Sequence, residues 1–228
     1  MKLNFYDSYQ AHKSYSTPEL KDKHIRQFDR DFWRLTTCDT YNSVLEIGCG
    51  TGHFLGYLKH KKVTHFLGID QDPALADFIP SAVKDHFKAQ TVEQLLGQAE
   101  RRSFDRIVLF DVLEHFSPGD GAALLRSLST ILSPGGSVLV KVPNMSSPWG
   151  AQHQFSDLTH RAAYTPTSLS QLGAATGYSQ VQCHAQITGA PVRRVLDRGL
   201  HNILSRILMT PPEIWSANFL AVLKPGDD

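Results

Sequence analysis

The run Ser43–Phe54, Ser-Val-Leu-Glu-Ile-Gly-Cys-Gly-Thr-Gly-His-Phe, constrains this chain more than any other stretch. Val44, Leu45 and Ile47 read as a buried strand, and Gly48, Gly50 and Gly52 crowd the turn that follows it. His53–Leu58 then has helical spacing, and Asp70 lies eighteen residues past Gly52. A strand, a glycine turn, a helix and a later carboxylate form a nucleotide-binding arrangement, because backbone without side chains lets a ligand approach closely.

The glycine spacing narrows the ligand. A dinucleotide fingerprint, G-x-G-x-x-G, counted from Gly48 needs its third glycine at position 53, which is His53. The block Glu-Ile-Gly-Cys-Gly-Thr-Gly, with Leu67-Gly68-Ile69-Asp70 downstream, resembles motif I and its sequel in the class I S-adenosylmethionine (SAM) methyltransferases. The resemblance implies SAM as cofactor and S-adenosylhomocysteine (SAH) as product. It implies that Glu46, Gly48, Cys49, Gly50 and Gly52 surround the methionine portion, with Asp70 on the ribose hydroxyls and Gln71 beside it. Gln90 and Thr91 then fall where relatives contact the adenine, although many of those have an aspartate near Gln90. Asp111 and Val112, in Asp-Val-Leu-Glu-His-Phe, occupy the position of the motif after strand four.

Strand and helix patterns alternate along the chain. Val63–Ile69, Ala82–Ala89, Phe104–Phe110, Ser137–Val142, Val181–Ile187 and Trp215–Leu223 read as further strands. Helical spacing appears at Pro73–Phe78, Val92–Gln98, Leu124–Leu132 and Thr165–Ala175. Such alternation implies a parallel sheet with ligands outside the carboxyl ends of its strands. The expected architecture is therefore α/β, a Rossmann-like class I methyltransferase fold with a mostly parallel seven-stranded sheet and helices on both faces. One domain is expected over residues 1–228. Residues 1–40 form its N-terminal helical segment, with scattered Tyr6, Tyr9 and Tyr15, Thr17 as N-cap and Pro18 at the first helical position. Ile25, Phe28, Phe32 and Leu35 give this helix one apolar face; in the resembled family such a helix often closes over the cofactor, and simple cover for a sheet edge is the competing role. A helical insertion over 188–213 precedes the last strand.

A formal net charge of +1 gives no strong nucleic-acid signal. Cys38, Cys49 and Cys183 have neither disulfide nor zinc spacing, and no leader-like or membrane-spanning apolar run is seen, so a reducing, cytoplasmic setting is expected. Apolar Val192, Leu196, Leu200, Ile203, Leu204 and Ile207 with Arg193, Arg194, Arg198 and Arg206 make residues 192–208 a basic amphipathic segment. It suits either packing on the domain or peripheral membrane contact.

Methyl transfer to a hydroxyl needs an acceptor held in line and a base to take its proton. The polar loop Asn144–Thr165 follows strand five on the ligand side of the sheet. Within it His160 is the expected base and Asp157 its orienting partner, with Asn144, His153 and Arg161 as acceptor-binding candidates. Tethering of the loop is the competing role for Asp157 and His160. No metal is expected, because no His-x-x-x-His or Cys-x-x-Cys spacing occurs and adjacent Glu114 and His115 should point apart on any regular element.

The segments Val142-Pro143-Asn144, Ser147–Gly150, Phe155–His160, Tyr164–Leu169 and Asn218–Val222 are similar to the methyltransferases of bacterial polysaccharide and glycan biosynthesis. That likeness implies O-methylation of a sugar hydroxyl or related small molecule. A quinone-precursor or lipid acceptor, an RNA acceptor, and a SAM-binding regulatory module without turnover are the alternatives.

Overall fold

The computed structural model describes residues 14–98 and 103–226; Tyr6, Tyr9 and the start of the 1–40 segment lie outside them. Seven strands form one sheet in the order β3-β2-β1-β4-β5-β7-β6. They are β1 (Ser43–Ile47), β2 (His65–Asp70), β3 (Phe87–Ala89), β4 (Phe104–Phe110), β5 (Leu132–Pro143), β6 (Tyr178–Ala185) and β7 (Asn218–Pro225). The first five pair in parallel, and β7 enters antiparallel between β5 and β6. β1 has β2 on one side and β4 on the other, so the chain's winding reverses there, where open α/β sheets bind ligands.

Side chains alternate across the sheet and fill two cores. Leu45, Ile107, Leu109, Val138 and Val140 face one side, packed under Leu95, Leu124, Leu125, Leu128 and Leu169. These come from helices α3 (Val92–Gln98), α4 (Pro118–Ile131) and α6 (Pro166–Ala175). Val44, Val108, Leu139, Leu220 and Val222 face the other side, under Phe54, Leu55, Tyr57 and Leu58 of α2 (His53–His60) and Phe32. Each such side chain taken fully out of water contributes about 1.5–3 kcal/mol. Helices α5 (Gly150–Phe155) and α7 (Pro191–Ile207) complete the fold.

Several boundaries differ from expectation. Helix α1 is Asp22–Phe28, continued by a π-helical turn over Asp29–Trp33; it starts where the Lys21 carbonyl accepts from His24 and Ile25, not at Pro18. Strand β3 is three residues, because Ser81–His86 winds into 3₁₀ turns that bury Val83. Helix α4 begins at Pro118, with the Ser117 hydroxyl accepting from the Asp120 amide, and β5 runs straight on from it at Leu132. The loop after β5 contains α5, which no apolar period had announced.

Helix α1 lies on the glycine-turn helix. Phe28 packs on Phe54, Tyr57 and His53, and His53 Nε2 meets His24 Nδ1 at 3.0 Å. One ring donates and the other accepts, so the contact fails if both are protonated. Burial, then His24, holds the His53 imidazole below its ordinary 6.5. The unfolded chain therefore takes up this proton first, and stability is lost as pH falls through 6.5. His53→Gln should reduce the fall in melting temperature between about pH 7.5 and about pH 5.5. An unchanged profile would place the acid-labile group elsewhere.

Candidate active site

The carboxyl ends of β1 to β4 lie along one edge, and the expected residues gather there. Gly48 and Cys49 donate their backbone N–H to the Ile69 carbonyl at 2.9 and 3.0 Å, which folds the turn back over β2. Gly48 has φ +69°, and a Cβ there would stand 2.5 Å from Val112 Cγ2, so this position admits only glycine. Gly50 also has positive φ, but a Cβ on it meets no protein atom within 4 Å. This is the open cradle a ligand needs. Asp70 closes the turn: Oδ2 accepts from Gly50 N–H at 3.0 Å and Oδ1 from Asp72 N–H at 3.1 Å. Burial raises its pKa, while these two bonds favour the ionised form.

Two polar atoms nearby are buried without partners, Glu46 Oε2 and Gln90 Nε2. Burial drives the Glu46 carboxyl well upward, with Asp70 adding to the effect. Gln90 is held beside Asp70 by its N–H to the Asp70 carbonyl at 2.9 Å. Acceptor and donor capacity of this kind suits a ligand with a cationic amino-acid end, ribose hydroxyls and a base, which is the chemistry of SAM. Gln71 is exposed next to Asp70. Two residues are used otherwise than expected. Thr91 bonds reciprocally with Gln94 at the start of α3, and Cys49 turns its side chain into the core against Gly68. Burial pushes the Cys49 thiol far above its usual range, so it is no nucleophile.

On the other side of the turn, Asp111 leaves β4 with φ +57° and pairs with Lys141 Nζ at 2.5 Å. A 3₁₀ turn over Leu113–His115 follows. The Glu114 carbonyl there accepts two bonds, from Arg161 N–H at 2.7 Å and Ala162 N–H at 3.0 Å. This clamp folds the loop after β5 over the mouth of β4 and sets His160 against His115, ring centroids 4.7 Å apart. Arg161 thus works through its backbone, its guanidinium lying 3.6 Å from Asp120. Asn144 is also a correction: it is fully buried, donating to the Ile214 and Ser216 carbonyls and accepting from Ser146, which fixes the loop and leaves nothing for substrate. His153 is exposed on α5.

The orienting contacts differ from those expected. His160 Nδ1 meets the Gln154 carbonyl at 2.8 Å, and a carbonyl can only accept, so Nδ1 carries the proton and Nε2 the lone pair. Asp157 serves the other imidazole. Its Oδ1 accepts from the Thr159 N–H and hydroxyl, so the hydroxyl, 2.9 Å from His115 Nδ1, accepts from that ring. His115 therefore also carries its lone pair on Nε2.

Glu114, His115 and His160 each bring one ligand atom within 4.8 Å of the others. The expected divergence of Glu114 and His115 fails because the 3₁₀ turn, unlike a strand, curls both toward the loop. Glu114 is fully buried with both carboxylate oxygens unpartnered. Burial, and then Asp111, pushes its carboxyl up to about 8. One carboxylate and two imidazoles, each ring held from behind through Nδ1, are a donor set that suits a divalent cation once the ligand atoms close in from their separation here.

A glycine cradle, a carboxylate closing it at the end of β2 and a carboxylate–imidazole cluster at the mouth of β4 fit the fold of a SAM-dependent methyltransferase domain. The chain belongs to the methyltransferase domain family, whose model matches residues 15–183. It is similar to a ubiquinone biosynthesis O-methyltransferase of Aeromonas salmonicida, 27% identical over 150 residues that cover 59% of this chain and 61% of that protein. The namesake of Xanthomonas campestris pv. campestris (strain B100) is 29% identical over 106 residues, 44% of this chain and 43% of that one. The chain thus spans only about three fifths or less of the length of these relatives. A SAM-dependent methyltransferase from Archaeoglobus fulgidus superposes with a TM-score of 0.67 at 18% identity, covering 97% of this chain and 100% of that one. The DhpI–SAH complex superposes at 0.60 with 14% identity, covering 98% and 95%. At those identities the two structures share the fold.

Two outcomes are expected at this site. Gly50→Ala and Asp70→Ala should each weaken SAM binding at least about tenfold by calorimetry, the first at a fold cost of only about 1 kcal/mol; unchanged affinity would remove these residues from the cofactor site. The folded protein holds a proton on Glu114 between its ordinary 4.5 and about 8, so this carboxyl adds a slope of falling stability with rising pH over that window, opposite in sign to the slope from His53. Glu114→Gln should abolish that slope and the tight binding of one Co²⁺, followed by its visible absorption. A variant that keeps both would show that Glu114 neither titrates there nor ligates.

Proposed function

We propose that this chain is an O-methyltransferase that moves the methyl group of SAM to a hydroxyl of a sugar, a glycan or a related small molecule. The observation that carries the reading is the convergence of His115 and His160 on Glu114, two residues past the valine that covers Gly48. Bound SAM supplies an electrophilic methyl group on a sulfonium. The acceptor oxygen forms the new C–O bond with its lone pair, the S–C bonding pair stays on sulfur, and the hydroxyl proton must leave. With no cation on the cluster, His160 Nε2 takes that proton in this reading, and the Gln154 carbonyl steadies the charged ring through Nδ1–H. Asp157 acts at one remove, by orienting His115 through Thr159.

The sugar assignment is supported by the family likeness of the loop from Val142 to Leu169. A second reading, a quinone-precursor or lipid hydroxyl, is favoured by the names of the relatives and by the loop's own surface. Trp149, Phe155 and Leu158 are 47%, 72% and 72% exposed there, more apolar area than a sugar would call for. An RNA acceptor has less support, given the net charge of +1. The chain acts as one unit in this reading, and its three free thiols favour a cytoplasmic setting.

His160→Ala should bind SAM as wild type does while turnover falls by about 10²–10⁴-fold, measured by label transfer from SAM to hydroxylated acceptors. Undiminished turnover would make His160 a loop tether. Tight SAM binding with no transfer to sugars, quinone precursors, lipids or RNA would favour a non-catalytic module.

A further inference from the structure

Helix α7 is amphipathic, and it is mounted with its apolar face outward. Val192, Val195, Leu196, Leu200, Ile203 and Ile207 recur at three- and four-residue spacing, so they share one face. That face points to solvent: Val192 is 73% exposed, Leu196 68% and Ile207 71%, and Leu208 and Met209 extend it at 45% and 99%. The opposite face holds the helix to the domain through polar contacts. His201 stacks on Trp215 at 4.8 Å and 7°, its Nε2 accepts from Trp149 Nε1 at 3.2 Å, and Ser205 Oγ accepts from Trp215 Nε1 at 2.9 Å. No residue of α7 is buried.

We propose that α7 is a docking helix for the surface of an anionic phospholipid bilayer, lying in the interface with its apolar face among the acyl chains. Charge decides the occupant. The helix carries Arg193, Arg194, Arg198 and Arg206 against Asp197 alone, and none of these arginines has an ion-pair partner among the described residues. Arg193 and Arg206 fall on the two flanks of the apolar stripe, where their stems follow it and their guanidinium groups reach phosphate. A second copy of the chain would set arginine-edged stripe against arginine-edged stripe, with too few carboxylates to pair them. Among the described residues no helix is long and apolar enough to cross a membrane, so α7 lies on the surface.

The mounting ties this surface to the acceptor loop. Trp149 belongs to that loop, and the Trp215 carbonyl accepts from Ser147 Oγ at 2.6 Å, while Asn144 holds the carbonyls on either side of Trp215. Docking therefore holds the acceptor loop at the bilayer. Resting on the O-methyltransferase reading, the acceptor class is a hydroxyl compound dissolved in, or anchored to, the membrane.

Flotation of the full chain with vesicles tests this. Wild type should float with phosphatidylcholine vesicles containing about a third phosphatidylglycerol, and should float less with phosphatidylcholine alone or in high salt. The double variant Leu196→Asp, Ile203→Asp should lose roughly tenfold or more in partitioning while its melting temperature and SAM affinity hold, and Arg193→Glu, Arg206→Glu should lose the preference for anionic lipid. Wild type that fails to float, or an aspartate variant that floats undiminished, overturns the proposal. So does a wild-type dimer that the aspartate variant converts to monomer. Vesicle binding needs no turnover, so failure of the O-methyltransferase reading would appear separately, as absent methyl transfer by a chain that still floats.

Discussion

The acceptor side of this protein depends on one carbonyl oxygen. Glu114 O accepts the N–H groups of both Arg161 and Ala162, and that pair of bonds brings a loop that begins at the end of β5 across the mouth of β4. Together with the Thr159–His115 and His160–Gln154 contacts, it stands His160 beside His115 with the Glu114 side chain close to both. The clamp is backbone to backbone, so it does not depend on the identity of Arg161. It does depend on the 3₁₀ turn, which presents the Glu114 carbonyl outward while its side chain is buried. A strand or an α-helix would have committed that carbonyl to its own ladder. Tyr164 reinforces the arrangement, pairing with Asn144 as an isolated bridge and accepting from Met145 N–H.

Burying a carboxylate in this way is costly unless something compensates it. The two halves of the site handle that cost differently. At Asp70 backbone N–H groups offset part of the burial that raises its pKa, and the same bonds shape the glycine turn. Glu114 and Glu46 have no such donors on the freed oxygens and are pushed toward the neutral form. Carboxyls left so have acceptor capacity to offer an incoming positive charge. Lys141, whose charge acts on both carboxyls, is already engaged by Asp111.

The cofactor half was legible in the sequence because it is local. Gly48, Gly50 and Asp70 are read from one strand, one turn and the end of the next strand, and their roles follow from backbone conformation and chain order. The strands that carry two-sided apolar alternation, β1, β4 and β7, were likewise legible. Elements without a long apolar period were not: β3 is three residues and α5 six. The acceptor half was half legible. His160 and Asp157 stood out by type and place, but which imidazole Asp157 orients is decided by Thr159, whose hydroxyl gives no sign of that role in the sequence. Asn144 and Arg161 looked like ligand-binding residues because polar loop residues often are. Here the loop itself consumes them, since a long segment crossing a sheet edge must satisfy its own carbonyls and amides.

Helix α7 marks a different limit. A hydrophobic period reports that a helix has an apolar face, and the ordinary inference, that this face meets the core, assumes that burial is the only strong attachment available. Trp215, His201, Ser205 and Trp149 supply another, a stack and two indole hydrogen bonds on the polar side. Once the polar side is fastened, the 3.6-residue repeat leaves the apolar side nowhere to go but outward. The direction of the stripe was therefore set by residues outside the helix as much as by those within it. Two of the four, Trp149 and Trp215, also belong to the segments that Asn144 and Ser147 bind together. The contacts that turn α7 outward are thus continuous with those that shape the acceptor loop, and displacement of one would be felt by the other.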